Sequence, residues 1–503
     1  MARIPLDIPP GLSADDTSFA AAGRWADGSN VRFWRGRPQV IGGWERLVEA
    51  PLTGVCRGVL PWTDKAAVLN VAFGTHSRLQ VFRGGGLYDI TPAGLAAGLV
   101  DGTGGQGYGT GAYSTGNWSE PSSGDYFPRT WSLAAWGENL MACPRDGAIH
   151  AWTNNTGSPA AALSNGPARV THMLVAPTDQ VFALGCNEEV SGVFNPLCLR
   201  HSSVRNNNEW NTGSATTARE YILPGGGRIV AGRVVGPHLL VWTSHALFLG
   251  SFVGSVTQPW RFDRVGETCG LIGPNAAVVV GQQAYWLGPD LQFYRYGLGG
   301  AVEPLPCPIR EAMADNLAAS QGDKVVASSS SSFSEIRFDY PDAREGAENS
   351  RYLLMSLMDG AWSRGVMART AMIDAGPSQY PIGVDPDGAA YWHERGQSAD
   401  GGAFSWFVES ADQCLDETST AMVRGLWPDM AGQVGPVSVS VTGRFTPQGD
   451  ETSSGALSMA PGADRVDLRT TGRMFRVRFA GGSAPTACRI GRPVFDIAPA
   501  GSR

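Results

Sequence analysis

The sequence is poor in charge, nearly devoid of lysine, and without any long apolar run. Charged residues make up 17%, against about 25% in an ordinary globular chain. Acidic side chains number 46 and basic ones 39, a formal net charge of −7. A protein that works by clamping nucleic acid needs a basic surplus to neutralise phosphates, so a generic clamp is disfavoured, although a local basic patch stays open. Lys65 and Lys324 are the only lysines, and arginine carries the rest of the positive charge. A GC-rich genome explains this bias through codon usage. The functional alternative is that arginine suits interfaces, because its planar fork makes bidentate bonds.

No eighteen uncharged apolar residues follow one another, so no membrane-spanning segment is expected. The opening Met1 to Pro10 lacks the apolar core of a secretory signal, and the expectation is a soluble protein made in a cytoplasm and not exported by the general secretory route. The eight cysteines (56, 143, 186, 198, 269, 307, 414 and 488) stand singly, without a CxxC pair. Buried reduced thiols are the default for that pattern.

Catalytic and ligand motifs are equally scarce. The seven histidines form no HxH and no HExxH; His238 and His245 are close in sequence, but two histidines without a third ligand are weak metal candidates. Gly102, Gly104 and Gly107 satisfy GxGxxG formally, yet no strand precedes and no helix follows to aim amides at a pyrophosphate, and no P-loop occurs. Asp385-Pro386-Asp387-Gly388 lacks the later oxygen ligands of a calcium loop and reads as a tight turn. No serine sits in GxSxG. Asp339 and Asp342 offer a carboxylate pair, which keeps a glycosidase as an alternative. Several of the tryptophans (Trp136, Trp152, Trp242, Trp286, Trp392) lie inside apolar runs, where packing duty is the simpler reading than sugar stacking. The expectation is therefore no enzyme, no cofactor and no metal.

Glycine and short strands are abundant. There are 66 glycines in 503 residues, about 13% against a usual figure near 7%. The one amphipathic helix signal runs from Ile309 to Ser320. Elsewhere, runs such as Trp131 to Trp136, a turn at Gly137-Glu138-Asn139, then Leu140 to Cys143, recur as strand, Gly- or Asp-centred turn, strand. The spacing of these units, roughly 45 residues, matches one propeller blade, and about six or seven fit between residues 55 and 400. The predicted architecture is all-β: an N-terminal extended arm or hairpin (1–50), a β-propeller of about six or seven blades (51–410), and a small antiparallel β-sandwich (411–503). Two β-sandwiches in place of the propeller are the rival. In the last part, Val437 to Thr442, Met474 to Phe479 and Cys488 to Ile497 read as three strands.

Three stretches carry a family likeness. Residues 23–44, Gly-Arg-Trp-Ala-Asp-Gly-Ser-Asn-Val-Arg-Phe-Trp-Arg-Gly-Arg-Pro-Gln-Val-Ile-Gly-Gly-Trp, follow Ile4 to Gly11. The Gly/Tyr-rich residues 101–116 lead to Trp131 to Leu140 and Pro144 to Gly147, and Tyr352 to Met355 precede Gly360-Ala361-Trp362-Ser363. Together they resemble the tail hub or nozzle proteins of short-tailed bacteriophages, also called packaged-DNA stabilisation proteins. The resemblance implies a structural virion protein, a six-fold ring beneath portal and adaptor that forms the distal DNA channel, retains packaged DNA and docks fibres or spikes. It would be assembled in the host cytoplasm and end in the phage tail. Its partners would be other copies of itself, adaptor or portal proteins, fibres or spikes, and passing duplex DNA without sequence-specific contacts. A net-acidic, lysine-poor protein is compatible with a lumen that does not grip DNA. Under this reading residues 1–44 are interaction elements, with Trp25, Trp34 and Trp44 as apolar anchors and Arg24, Arg32 and Arg37 as charge-assisted hydrogen bonders. The simpler alternative makes residues 23–44 a hairpin completing a blade, with Gly36 and Gly42-Gly43 as turns. A glycan-binding or glycan-degrading propeller is the alternative function.

Overall fold

The computed structural model describes residues 2–103, 126–225, 227–255, 257–414 and 420–501. Most of the Gly/Tyr-rich stretch, with Gly104 and Gly107, lies outside them. Among the described residues the regular structure is almost wholly antiparallel strand, arranged in ten sheets. The helix expected over 309–320 shrinks to Glu311–Ala314, followed by a 3-10 turn at Ala319–Lys324.

Seven consecutive sheets have four strands each. Their first strands are Cys56–Thr63, Trp131–Trp136, Val170–Val175, Ile229–Val235, Ala277–Val280, Val326–Ser330 and Ala371–Ile373. Each packs against the next in this order, and the last packs against the first. Sheets arranged radially around a closed ring of inner strands make a β-propeller. The sheets follow from sequence: within the second, Trp131↔Pro144 through Trp136↔Asn139 pair across a turn whose Gly137 has φ +61°. Between the third and fourth sheets and between the fourth and fifth, aromatic rings meet. Phe182 meets Trp260 edge-on at 5.2 Å and Trp242 meets Trp286 at 5.6 Å, so these tryptophans pack blades together.

The first six sheets each draw their strands from one continuous stretch. The seventh joins Ala371–Ile373, Ile382–Val384 and Ala390–His393 to Trp44–Arg46, with His393↔Trp44 and Tyr391↔Arg46 in register. The N-terminal segment therefore closes the ring.

The first fifty residues are not a free arm. Ala2–Pro5 pairs with Val494–Pro499, Trp25–Ser29 with Trp406–Ser410, and the hairpin Val31–Trp34/Arg37–Val40 extends the sheet of Ala487–Ile490. The physical reason is burial: Trp25, Val31, Phe33 and Val40 are all at most 5% exposed and share a core with Val439, Val477 and Phe479. An arm lying on another molecule would leave that surface wet in the isolated chain. The region after the propeller thus consists of three sheets that include N-terminal strands. Val437–Arg444 and Met474–Gly481 pair as neighbours, Val441 facing Val477. The single strand expected over 488–497 is instead two, Ala487–Ile490 and Val494–Pro499, which enter different sheets on either side of Pro493.

Candidate functional site

The six N-terminal residues expected to contact partners spend most of their chemistry inside the chain. Trp25 is 2% exposed. The Arg32 guanidinium, equally buried, pairs with Glu394 and lies 3.4 Å from Glu335, stacked 3.7 Å over the Phe333 ring. Burial opposes its charge, but Glu335 and Glu394 together outweigh burial and raise its pKa. Trp34 is half-buried, edge-on to Phe333 at 5.3 Å. Trp44 stacks on His393 at 5.8 Å and touches Phe404 at 5.4 Å. Arg37 is partly exposed and pairs with Asp7 at 3.1 Å. Arg24 alone of the six is an exposed residue; its carbonyl accepts from the Ala411 amide at 2.8 Å.

The glycines of this segment divide into two uses. Arg35 and Gly36, with φ of +51° and +75°, form the two-residue hairpin turn, as expected for Gly36. Gly42 and Gly43 are not turns. A Cβ on Gly42 would lie 2.8 Å from Glu394 Cα, and one on Gly43 would lie 2.5 Å from the Ser398 amide nitrogen, so the pair permits backbone approach as the chain crosses from the C-terminal sheets to the seventh sheet.

Around Arg32 lies a buried charge cluster between the sixth and seventh sheets. Arg337 Nε donates to both Asp339 carboxylate oxygens at 3.0 Å and stacks 3.8 Å over Tyr352. Asp342 is taken by Arg344 and Arg351. Each aspartate of the proposed carboxylate pair is thus committed to arginine. Glu335 has its pKa raised to about 7 by burial, against the attraction of Arg32. Arg369 Nε donates to His393 Nε2 at 2.8 Å. Burial first, then Arg369 and Arg337, hold the His393 pKa well below the usual value, which keeps the ring neutral as an acceptor.

The propeller axis is a channel of about 440 Å³ lined by the seven inner strands. Its walls approach closely: a Cβ on Gly58 would lie 2.8 Å from Trp131 Cβ, and one on Gly232 would lie 2.5 Å from Leu174. Arg57, His172, Arg233 and Asn275 are among its polar lining residues. Arg57 is 1% exposed and donates to Glu348 at 2.6 Å, and the same Glu348 oxygen accepts from Lys324 at 2.8 Å. Lys324, one of two lysines, has a wholly buried side chain and also pairs with Asp101 at 2.5 Å. Nearby, Arg145 and Arg228 stack over Phe127 at 3.9 and 4.1 Å, with Arg145 paired to Asp323 at 2.9 Å.

These channel residues went unread in the sequence, although a signal existed. Arg233 in Ile229-Val-Ala-Gly-Arg-Val-Val235 and His172 in Val170-Thr-His-Met-Leu-Val175 are single titratable residues inside apolar strands. His238 and His245 flank the strand His238–Thr243, one at its start and one beyond its end, so the hairpin does not bring them together. The Asp385 loop is a tight turn, its side chain accepting from the Ala389 amide at 2.8 Å with Gly388 at φ +86°. Among the described residues no group of three or more His, Cys, Asp or Glu could hold a metal ion, and no helix is long and apolar enough to cross a membrane.

The chain matches no family model and no curated protein. Among solved structures it is similar to the computationally designed Ika8 protein, at 10% identity and a TM-score of 0.35 over 69% of this chain and 99% of that one. It is also similar to BamB from Moraxella catarrhalis, at 12% identity and a TM-score of 0.38 over 73% of this chain and 97% of that one.

Proposed function

We propose that the seven sheets are the blades of a seven-bladed propeller and that the chain is a structural virion protein, a subunit of a hexameric tail hub or nozzle that forms the distal DNA channel of a phage. The observation that supports this reading best is the N-terminal segment. Residues 23–44, which carry the family resemblance, tie the C-terminal sheets to the propeller by backbone pairing and by the buried Arg32 ion pairs. A conduit for DNA under pressure needs subunits that do not shear internally, and a strap of strands shared by both ends of the chain supplies that stiffness. The net charge of −7 suits a lumen that does not hold phosphate. In this reading the DNA passes between subunits around the ring axis, and the channel within each propeller is a separate space. Ring closure requires two different faces of the subunit to meet, and these are sought on the blade exteriors rather than on residues 1–44.

The test is the copy number of this chain relative to the portal in purified particles, by quantitative peptide mass spectrometry. The expected ratio is near one to two, about six copies against a portal of about twelve. Absence from particles, or a ratio that no six-fold ring can give, removes the proposal and directs attention to glycan binding and hydrolysis.

A further inference from the structure

The inner wall of the propeller holds an arginine without a counter-charge. Arg233 Nε donates to the Ala277 carbonyl at 3.2 Å, Nη1 to the Gly232 carbonyl at 2.9 Å and to His172 Nε2 at 3.2 Å, and Nη2 to the Pro274 carbonyl at 2.8 Å. Every acceptor is neutral. His172 is held far below its usual pKa by burial and by Arg233 itself, so it serves as a lone-pair acceptor and supplies no charge. No described carboxylate lies within ion-pair distance of Arg233, and burial alone lowers its pKa to about 10. The one carboxylate on the channel wall, Asp374, is occupied elsewhere, accepting from the Ser331 amide at 2.9 Å and hydroxyl at 3.3 Å.

A second arginine faces the same space. Arg57 uses Nη2 for the Val100 carbonyl and for Glu348, which it shares with Lys324, while its buried Nε and Nη1 have no partner. The Arg57 main chain and the Arg233 guanidinium meet consecutive residues: Asn275 Nδ2 donates to the Arg57 main-chain carbonyl at 3.1 Å, next to the Pro274 carbonyl that receives Arg233. Beyond them the wall is aliphatic, with Val59, Leu133, Val234, Val278, Met372 and Ile373. The volume, about 440 Å³, is that of a small-ligand cavity.

Arg233 is half-buried at the channel wall, where a guanidinium is costly to hold away from bulk water unless a charge answers it, and here the protein leaves the answering charge out while keeping room for it. We propose that the propeller channel binds a small organic monoanion, a carboxylate carrying an apolar chain, with the carboxylate on Arg233 and Arg57 and the chain along the aliphatic wall. The site is independent of whether the protein assembles into a tail ring.

The probe is octanoate, titrated calorimetrically into the full-length protein in low-chloride buffer, with acetate and octan-1-ol as the two halves of its chemistry. The expected result is one saturable site per chain for octanoate, at least tenfold tighter than for either control. Arg233→Met, which keeps the stem and removes the charge, is expected to weaken octanoate at least tenfold, and Arg233→Lys to recover part of that loss. Equal binding of octan-1-ol and octanoate, no saturable octanoate binding, or unchanged affinity in a folded Arg233→Met overturns the proposal. The comparison of the three probes on the unmodified chain decides it even where a variant fails to fold.

Discussion

Two arginines mark two regions of this protein, and they are treated in opposite ways. At the junction of the sixth and seventh sheets with the N-terminal hairpin, Arg32 is met by Glu335 and Glu394 and covered by Phe333. At the channel, Arg233 meets only carbonyls and a neutral imidazole. The first arrangement is complete: its charges and hydrogen bonds fix how residues 31–42 sit against residues 335 and 394, which an apolar contact of similar area would define less sharply. The second is incomplete as a piece of folding chemistry. A buried cation and a half-buried one in the same chain thus separate a group that specifies structure from one that, on the proposal above, awaits a ligand.

The contrast can be broken by experiment. The largest effect is expected from deleting residues 1–46, which removes the outer strand of the seventh sheet and every N-terminal strand of the other three. The truncated chain should lose its cooperative thermal transition and near-ultraviolet circular dichroism; a wild-type melting curve would show that the strap is dispensable. Next, Arg32→Met should destabilise by about 3–5 kcal/mol in urea denaturation, because it leaves the buried Glu335 and the half-buried Glu394 without their cation.

The third effect depends on pH. A glutamate whose folded pKa is raised from 4.5 to about 7 favours the folded state below the unfolded value and loses that contribution as pH rises through the folded one. Glu335→Gln should therefore match the wild type near pH 4 and become progressively more stable relative to it toward pH 7, by at most about 3 kcal/mol. The buried histidines act with the opposite sign: His172 and His393, both depressed, cost stability as pH falls below 6.5. Thermal melts of both proteins across this range isolate the glutamate, since the histidine contribution is common to them. A stability difference that does not move with pH would remove Glu335 from this account. The smallest effect sharpens the comparison most: Arg233→Met without ligand should be neutral or stabilising by about 1 kcal/mol. A loss as large as that for Arg32→Met would place Arg233 among the structural charges.

The individual sheets were legible because their information is local. Trp131 to Trp152 announces its strands by β-rich runs and its turns by Gly137 and Asp146-Gly147, and the structure follows that division. The closure was not legible, since nothing near Trp44 points to His393. The motif 23–44 reads as an interaction element because its tryptophans and arginines are the residue types of interfaces, with a hairpin that completes a blade as the alternative. Trp25, Arg32 and Trp44 form an interface within the chain, between segments that sequence periodicity cannot pair. Gly42-Gly43 misled for a related reason: glycine reports either a turn or a close approach, and only the neighbour at Glu394 distinguishes them. The 488–497 run contains the clue to its own division, Gly491-Arg492-Pro493, a break that an uninterrupted strand would not carry.

The closing strand also orders events in time. Trp44–Arg46 leaves the ribosome early, but its partner Ala390–His393 is made after all six preceding sheets, and the Arg32–Glu394 contact spans 362 positions. A nascent chain must therefore keep a Trp-rich segment unpaired through most of its synthesis, exposed to wrong partners and to chaperones. Ring closure, a long-range event, then becomes a candidate for the slowest step of folding.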